Sequence, residues 1–587
     1  MLSPRYFIMA AVGPGLPAKV AVSSHPPTDA GCLAAAGYRE IWLIQPPLPL
    51  WIAEKVGAQL GTGKLPTTPK AFQKQAVFYL EPYISRRLIR LVVEPISEGM
   101  AAETVPSGLE RLFQGRIVLG TEIPAVVREN GYDLPWDPEV WMQGLVAQGK
   151  VRRKAAVTRE SWGSVLCRRC GSREGIREEY CYLCGSTDCL TCYNCQSMGL
   201  AKSCIPLYSA DDHEEKADER PVVPILDFEL TLPQRRAAEH LEAFYLTEAS
   251  RFLVWAVCGS GKTEVSFGIV AKVLSGGGRV LFAIPRRDIV IELLPRFEKA
   301  FPGVSVAALY GGSGGRWAEG SQLTLATTHQ CLRFYHRFDL VVLDEADAFP
   351  YQGSHMLHYA VERAVKPGGK LVIMTATPSR NLIEQAEAGT LPSVSIPARH
   401  HGRPLVVPAH RPMALQPLAE GHQWRIPEPL ETLIRESAGN GRKLLIFLPT
   451  LPLVEVVGRQ LVLWGAKHGI CGDWTHSRRE NRTDVKHRLL DGKLHFVVTS
   501  TVFERGITIP DVDVIVLYAD YDAVFDSRTL IQIAGRAGRH GDPAAVYFVS
   551  KTVTRAMKDC CDTIRRMNGE AVRLGYILPE VERRDSF

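Results

Sequence analysis

At 587 residues the chain exceeds one ordinary core and predicts about three or four domains. Its 46% apolar content and mean hydropathy of -0.04 indicate a soluble globular protein and exclude a disordered one. Against 63 Asp and Glu, 69 Lys and Arg leave a net charge of +6, which permits a polyanionic partner without requiring one.

The N-terminus "MLSPRYFIMAAVGPG" carries one Arg and a short apolar run that Gly13-Pro14 interrupts, a poor match to a cleaved signal. The longest apolar candidate, "IWLIQPPLPLWIA" (41–53), is broken by prolines and falls short of the roughly 20 residues a membrane span needs. A cytoplasmic protein is expected. Residues 1–160 predict an α+β region of unknown role, with strands at "REIWLIQ" and "LIRLVVEPI" and a helix at "AFQKQAVFYLEPYI". The "GTGK" at 61–64 resembles a phosphate loop, but the prolines after it deny it the helix N-terminus such a site needs. The basic run "GKVRRKAAVTR" (149–159) is either a solvated face or a nucleic-acid contact.

Eight of the 14 cysteines fall in a module at 161–208. In a cytosolic chain such clustering argues for metal over disulfides. Each C-x2-C suits a knuckle, two knuckles complete a tetrahedral site, and all-thiolate coordination favours structural zinc, here two Zn2+ ions. The preferred pairing places Cys167, Cys170, Cys181 and Cys184 on one ion and Cys189, Cys192, Cys195 and Cys204 on the other. An interleaved pairing, with the first knuckle joined to Cys192 and Cys195, is the alternative. An iron–sulfur cluster on the C-x2-C-x2-C run is a third reading. Arg168, Arg169, Arg173 and Arg177 in the module either meet DNA phosphate or keep it soluble. Of the scattered cysteines, Cys258 predicts thiol sensitivity of the loop that holds it.

An acidic, polar linker covers 209–224. From 225 to 399, continuous apolar runs such as "RFLVWAV", "RVLFAIP", "FDLVVLDEAD" and "KLVIMTATP" alternate with helical patterns, and the pattern restarts over 400–587. Two tandem α/β lobes with buried parallel sheets follow.

In "AVCGSGKTE" (256–264) an apolar strand enters a glycine loop and a helix begins at Lys262. That is the context of a nucleotide loop for ATP, although the strict motif would have glycine where this chain has Ala256. Gly259, Ser260 and Gly261 would turn backbone N–H groups to the phosphates, Lys262 would pair with them, and Thr263 would hold Mg2+ beside Glu264. "DEADAFP" delivers Asp344 for the Mg2+ shell and Glu345 to orient and deprotonate the attacking water. "QIAGRAGRH" sets Arg536 and Arg539 three apart at an expected helix start, suited to arginine fingers, with Gln532 beside them.

Taken with "FAIPRRD", "ATTHQ", "TATP" and "TSTVFERGITIP", these motifs resemble superfamily 2 helicases over roughly 225–560. The resemblance implies two RecA-like lobes that hydrolyse ATP between them and move along a nucleic-acid strand. It also puts Gln234 of "LTLPQRRA" on the adenine. The cysteines ahead of the loop, "DEADAFPY", "ERGITIPDVDV" and "PARHHGRPLVVP" further resemble the ComFA family of late-competence ATPases, which act in uptake of transforming DNA. "DEAD" in place of the family's usual third residue and the long N-terminal region are departures, and the second leaves a specialised role open. The PriA family also carries eight cysteines, but there they interrupt the second lobe.

By motif position, Arg286, Arg287, Thr328 and Thr501 are expected near the DNA backbone. The resemblance implies single-stranded DNA as substrate, a position at the inner face of the membrane, and a competence channel and ComFC- or DprA-like proteins as partners. A replication-restart or RNA helicase, or a zinc-dependent DNA adaptor with ATP as timer, is the alternative function.

Overall fold

The computed structural model describes residues 6–577, apart from 63–67, 81–91, 96–104, 134–137, 161–162, 213–217, 314–319, 417–423, 502–508, 540–542 and the single positions 15, 25, 37 and 46. Phe7–Gly13, Leu16–Ser23, Glu40–Gln45 and Val92–Pro95 form an antiparallel sheet in which Phe7–Gly13 pairs with both of the next two strands. The apolar faces of helices Leu50–Thr62 and Pro69–Leu80 close its core around Leu50, Trp51, Val56 and Phe72. The expected strands and helix of this region are therefore present. Gly61 and Thr62 close the C-terminal end of a helix, where carbonyls and not N–H groups are free, and the rest of "GTGK" lies outside the described residues.

The boundary expected at residue 160 is not where the chain divides. Pro206–Ala210 inserts between Arg116–Leu119 and Arg152–Ala155, antiparallel to both. Strands on either side of the cysteines thus share one sheet, and 105–210 forms a single unit with the cysteine module as an insertion. The linker that follows starts anchored: Asp212 pairs with Arg279 and with Lys366 at 3.2 Å.

The first lobe holds seven parallel strands: β1 (Arg251–Ala256), β2 (Val280–Ile284), β3 (Val306–Leu309), β4 (Leu323–Thr327), β5 (Phe338–Leu343), β6 (Val365–Thr375) and β7 (Ser393–Ile396). Their order is β3-β4-β2-β5-β6-β1-β7. The middle strands are buried on both faces, which explains their unbroken apolar runs. Helices α1 (Leu232–Tyr245), α2 (Phe267–Ser275), α3 (Arg287–Ala300) and α4 (His355–Ala364) cover the sheet. The second lobe repeats the scheme with β8 (Ala409–Pro412), β9 (Lys443–Phe447), β10 (Gly472–Thr475), β11 (Phe496–Thr499), β12 (Val512–Leu517) and β13 (Val546–Ser550), ordered β8-β13-β12-β9-β11-β10 and all parallel. Helix α5 (Ser527–Ala534) leads to the cleft. Helix α6 (Arg555–Arg573) folds back on the first lobe, where Arg566 stacks 4.5 Å from the Trp255 ring and Glu570 accepts from Ser395. Among the described residues, no helix is long and apolar enough to cross a membrane.

Candidate functional site

The loop after β1 uses glycine where geometry demands it. Gly259 and Gly261 adopt φ of 80° and 71°, and a Cβ on Gly261 would collide with the Gln234 amide. Lys262 Nζ pairs with Asp344 Oδ1 at 2.8 Å. Burial works against its ammonium, but Asp344, Glu345 and Asp347 outweigh burial and hold its pKa above the ordinary lysine range. Burial pushes the Asp344 carboxyl up, opposed by Lys262. Thr263 Oγ1 donates to Asp344 Oδ2 at 3.4 Å, so two hard oxygen donors stand together, a set that suits Mg2+. Ser260 is buried with no hydrogen-bond partner for its hydroxyl, a polar atom offered to a ligand in the loop. Glu345 sits at φ 53°, a conformation rare outside glycine, with its N–H donating to Asp344 Oδ1 at 2.7 Å.

The second lobe completes the cleft. Gln532 Nε2 donates to Asp347 Oδ2 at 2.9 Å, and Cys258 Sγ donates to Gln532 Oε1 at 3.1 Å. Asp347 also accepts from Thr375 at 2.7 Å and Thr377 at 2.6 Å. One network therefore joins the glycine loop, "DEAD", "TATP" and "QIAGR". Every residue expected at the nucleotide, from Gln234 through Gly259–Glu264, Asp344 and Glu345 to Gln532, Arg536 and Arg539, lines the same cleft of about 650 Å³. Two placements differ from expectation. Arg536 and Arg539 follow the C-terminal end of α5 instead of opening a helix: Gly535 is its C-cap, and Gly538 then takes a left-handed φ of 63°. The Gln234 amide braces the loop: its Oε1 accepts from Thr231 N at 2.8 Å and its Nε2 donates to Ser260 O at 2.8 Å.

Sequence reading missed Arg399. This residue is 2% exposed and bridges both halves of the site: Nε donates to Cys258 O at 3.1 Å, Nη1 to Ala537 O at 2.6 Å and Nη2 to Gly535 O at 3.0 Å. It lies in the segment "PARHHGR", but backbone acceptors leave no sequence signature. Glu292 on α3 and the exposed Phe228 also line the cleft, and burial raises the Glu292 pKa.

The residues expected near a strand fall at the same strand ends. Arg286 is half-buried and Arg287 exposed at the head of α3, with Arg287 5.2 Å from the Tyr310 ring. Thr501 is half-buried after β11, and 502–508 of its motif lie outside the described residues. Thr328 does not fit a surface contact. It is fully buried, its N–H is bonded to Ile284 O at 3.0 Å, and its hydroxyl finds no hydrogen-bond partner among the described residues.

The cysteines form two groups, each with all four thiols within 4.8 Å of one another: Cys167, Cys170, Cys192 and Cys195, and Cys181, Cys184, Cys189 and Cys204. The preferred sequential pairing is thus overturned in favour of the interleaved one. The physical reason is the strand Cys189–Cys192. Residues three apart on a strand point to opposite faces, so Cys189 and Cys192 serve different groups and their C-x2-C is no knuckle. Sulfur separations of 3.7 Å (Cys167–Cys195, Cys170–Cys192) and 3.8 Å (Cys181–Cys204) are too long for disulfides. They match the edge of about 3.8 Å that a tetrahedron with metal–sulfur bonds of about 2.3 Å requires. A single ion per group fits this spacing. A polynuclear cluster, with each thiolate on its own iron, would spread the sulfurs further. Arg169 is fully buried against Glu122 at 3.0 Å, so it is structural and not a DNA contact.

Residues 227–380 match the family described as type III restriction enzyme, res subunit, and 427–541 match the helicase conserved C-terminal domain. Residues 103–209 match the competence protein ComFA N-terminal domain, in agreement with the unit the shared sheet defines. The competence protein ComFA of Bacillus subtilis is 34% identical over 419 residues, 70% of this chain and 86% of the relative. Its Streptococcus pneumoniae counterpart is 32% identical over 431 residues, 72% and 94% of the two chains. The chain belongs to the ComFA family. It is accordingly an ATP-hydrolysing superfamily 2 helicase. The Bacillus subtilis replication restart protein PriA is similar over less, at 24% identity across 47% of this chain and 36% of its own.

Two outcomes follow from this ComFA-family geometry. A chain carrying Cys170→Ser and Cys192→Ser together is expected to keep one of two metal equivalents by elemental analysis, whereas sequential pairing would cost both. Arg399→Lys retains charge but loses the three-way fork, and loss of one or two charged hydrogen bonds predicts a kcat for ATP hydrolysis lower by about 10- to 100-fold. Steady-state kinetics should find KM little changed.

Proposed function

We propose that this protein is an ATP-driven translocase that draws in single-stranded DNA during natural transformation. The observation that carries this reading is the junction of a complete hydrolytic cleft with strand ends bearing Arg286, Arg287 and Thr501 on both lobes. The competence names of the relatives supply the process. Lys262 would bind the β/γ phosphates, and Glu345 would orient the attacking water and take its proton. Arg536 and Arg539 would stabilise charge from the second lobe, while Gln234 would meet the adenine from its braced position. Thr263 and Asp344 would hold Mg2+, which supplies charge neutralisation on the phosphates. The thiolate groups would each hold Zn2+, which supplies folding free energy to a segment without a core of its own. Contacts to phosphate position a strand without reading its sequence, so sequence-tolerant binding that weakens with salt is expected. Placement at the inner face of the membrane, beside a competence channel, belongs to the same proposal.

Steady-state ATP hydrolysis with single-stranded DNA, duplex DNA and RNA tests the reading, with Glu345→Gln as the blank. Strong stimulation by single-stranded DNA is expected, with Glu345→Gln slower by about 100-fold or more. A response absent with every nucleic acid, or led by RNA or forked DNA, contradicts it.

A further inference from the structure

The first thiolate group is not an appendage. Cys167, Cys170, Cys192 and Cys195 belong to the same continuous core as Leu332, Phe334 and Val361 of the first lobe. The turn after the knuckle rests on α4: Gly171, at φ 72°, leaves room for the Tyr359 ring, which a Cβ would approach to 2.7 Å.

Arg363, in the last turn of α4 and 7% exposed, lies 5.1 Å from that ring. It makes four hydrogen bonds to backbone carbonyls, and they divide between two distant segments. Nη1 donates to Arg168 O at 3.4 Å and to Arg169 O, both inside the knuckle. Nη2 donates to Leu332 O at 2.9 Å and Nε to Phe334 O at 3.1 Å, both in the segment that continues "ATTHQ". A buried guanidinium without a carboxylate is costly unless its donors are met, so neither segment can shift without stranding part of the charge. The second segment starts at Thr328, whose N–H is bonded to Ile284 O at the end of β2, immediately before Pro285, Arg286 and Arg287.

We propose that Arg363 is a positioning residue that couples the first four-cysteine centre to strand engagement by the first lobe. The inference rests on the translocase reading above. The knuckle's thiolates, when they hold metal, would fix the Arg168 and Arg169 carbonyls; Arg363 would transmit that position to Leu332 and Phe334, and the segment they close would set the strand ends that meet the nucleic acid. Coupling of this kind is reciprocal, so nucleic acid bound on the lobe should hold the metal in the knuckle.

The test uses the full chain with both metal centres loaded and oligothymidylate as the probe. In the wild type, release of one of two metal equivalents to a chromogenic chelator should slow by about fivefold or more when oligothymidylate is bound. In Arg363→Lys, which keeps the charge but cannot span four carbonyls, that protection should vanish. The same variant should lose most of its oligothymidylate-stimulated ATP hydrolysis and keep its basal rate. Release of both ions at rates indifferent to oligothymidylate in the wild type would overturn the inference without needing a variant. So would an Arg363→Lys protein that melts earlier but keeps full stimulation and protection, since that is a merely structural role. A wild type that no nucleic acid stimulates would instead bring down the translocase reading, and this inference with it.

Discussion

The active site is split between two sheets that share no strand, and Arg399 fixes how the halves meet. Its guanidinium donates to Cys258 O on the first lobe and to Gly535 O and Ala537 O on the second. The last two carbonyls stand just past the end of α5, where unpaired carbonyls gather partial negative charge. That location helps to accommodate the buried cation. Arginine suits the task because its planar fork can address three acceptors at fixed angles, where an ammonium would be a point charge. The Gln532–Asp347 bond and the α6 contacts to Trp255 and Ser395 reinforce the same closure. The cleft is thus assembled by the fold itself, with its arginines facing Lys262 and Asp344 across about 650 Å³.

The same device recurs at the other end of the first lobe. Arg363 joins the cysteine knuckle to the segment after "ATTHQ" through four carbonyls. Pro206–Ala210 then ties the far end of the module into the sheet with Arg116–Leu119. A small all-thiolate module gains little from apolar burial alone, and metal on its sulfurs would supply folding free energy. Here the buried sulfurs also extend the core of a RecA-like lobe, so the module and the lobe pack as one body.

Much of the nucleotide site was legible because its chemistry is written in contiguous motifs. A strand, a glycine loop and Lys262-Thr263 can occur in few other arrangements, and Asp344-Glu345 at a strand end narrows the choice further. What was not legible depends on acceptors that every residue carries. Arg399 and Arg363 bind carbonyls distant in the chain, so neither has a motif. The cysteine pairing depended on whether Cys189–Cys192 forms a turn or a strand, a choice that spacing alone does not decide. Thr328 matched a motif position but is fully buried, which the motif alone does not disclose. The divide expected at 160 failed because the strand that completes the preceding sheet, Pro206–Ala210, comes only after the cysteines.

On the proposed function, hydrolysis in this cleft is converted into movement along one DNA strand. Displacement of streptavidin from biotinylated oligothymidylate, with the biotin at either the 5′ or the 3′ end, measures that conversion directly. ATP-dependent displacement from one end only, abolished by Glu345→Gln, is expected. Hydrolysis stimulated by the oligonucleotide with no displacement from either end would contradict it, leaving an ATPase that binds DNA without moving along it.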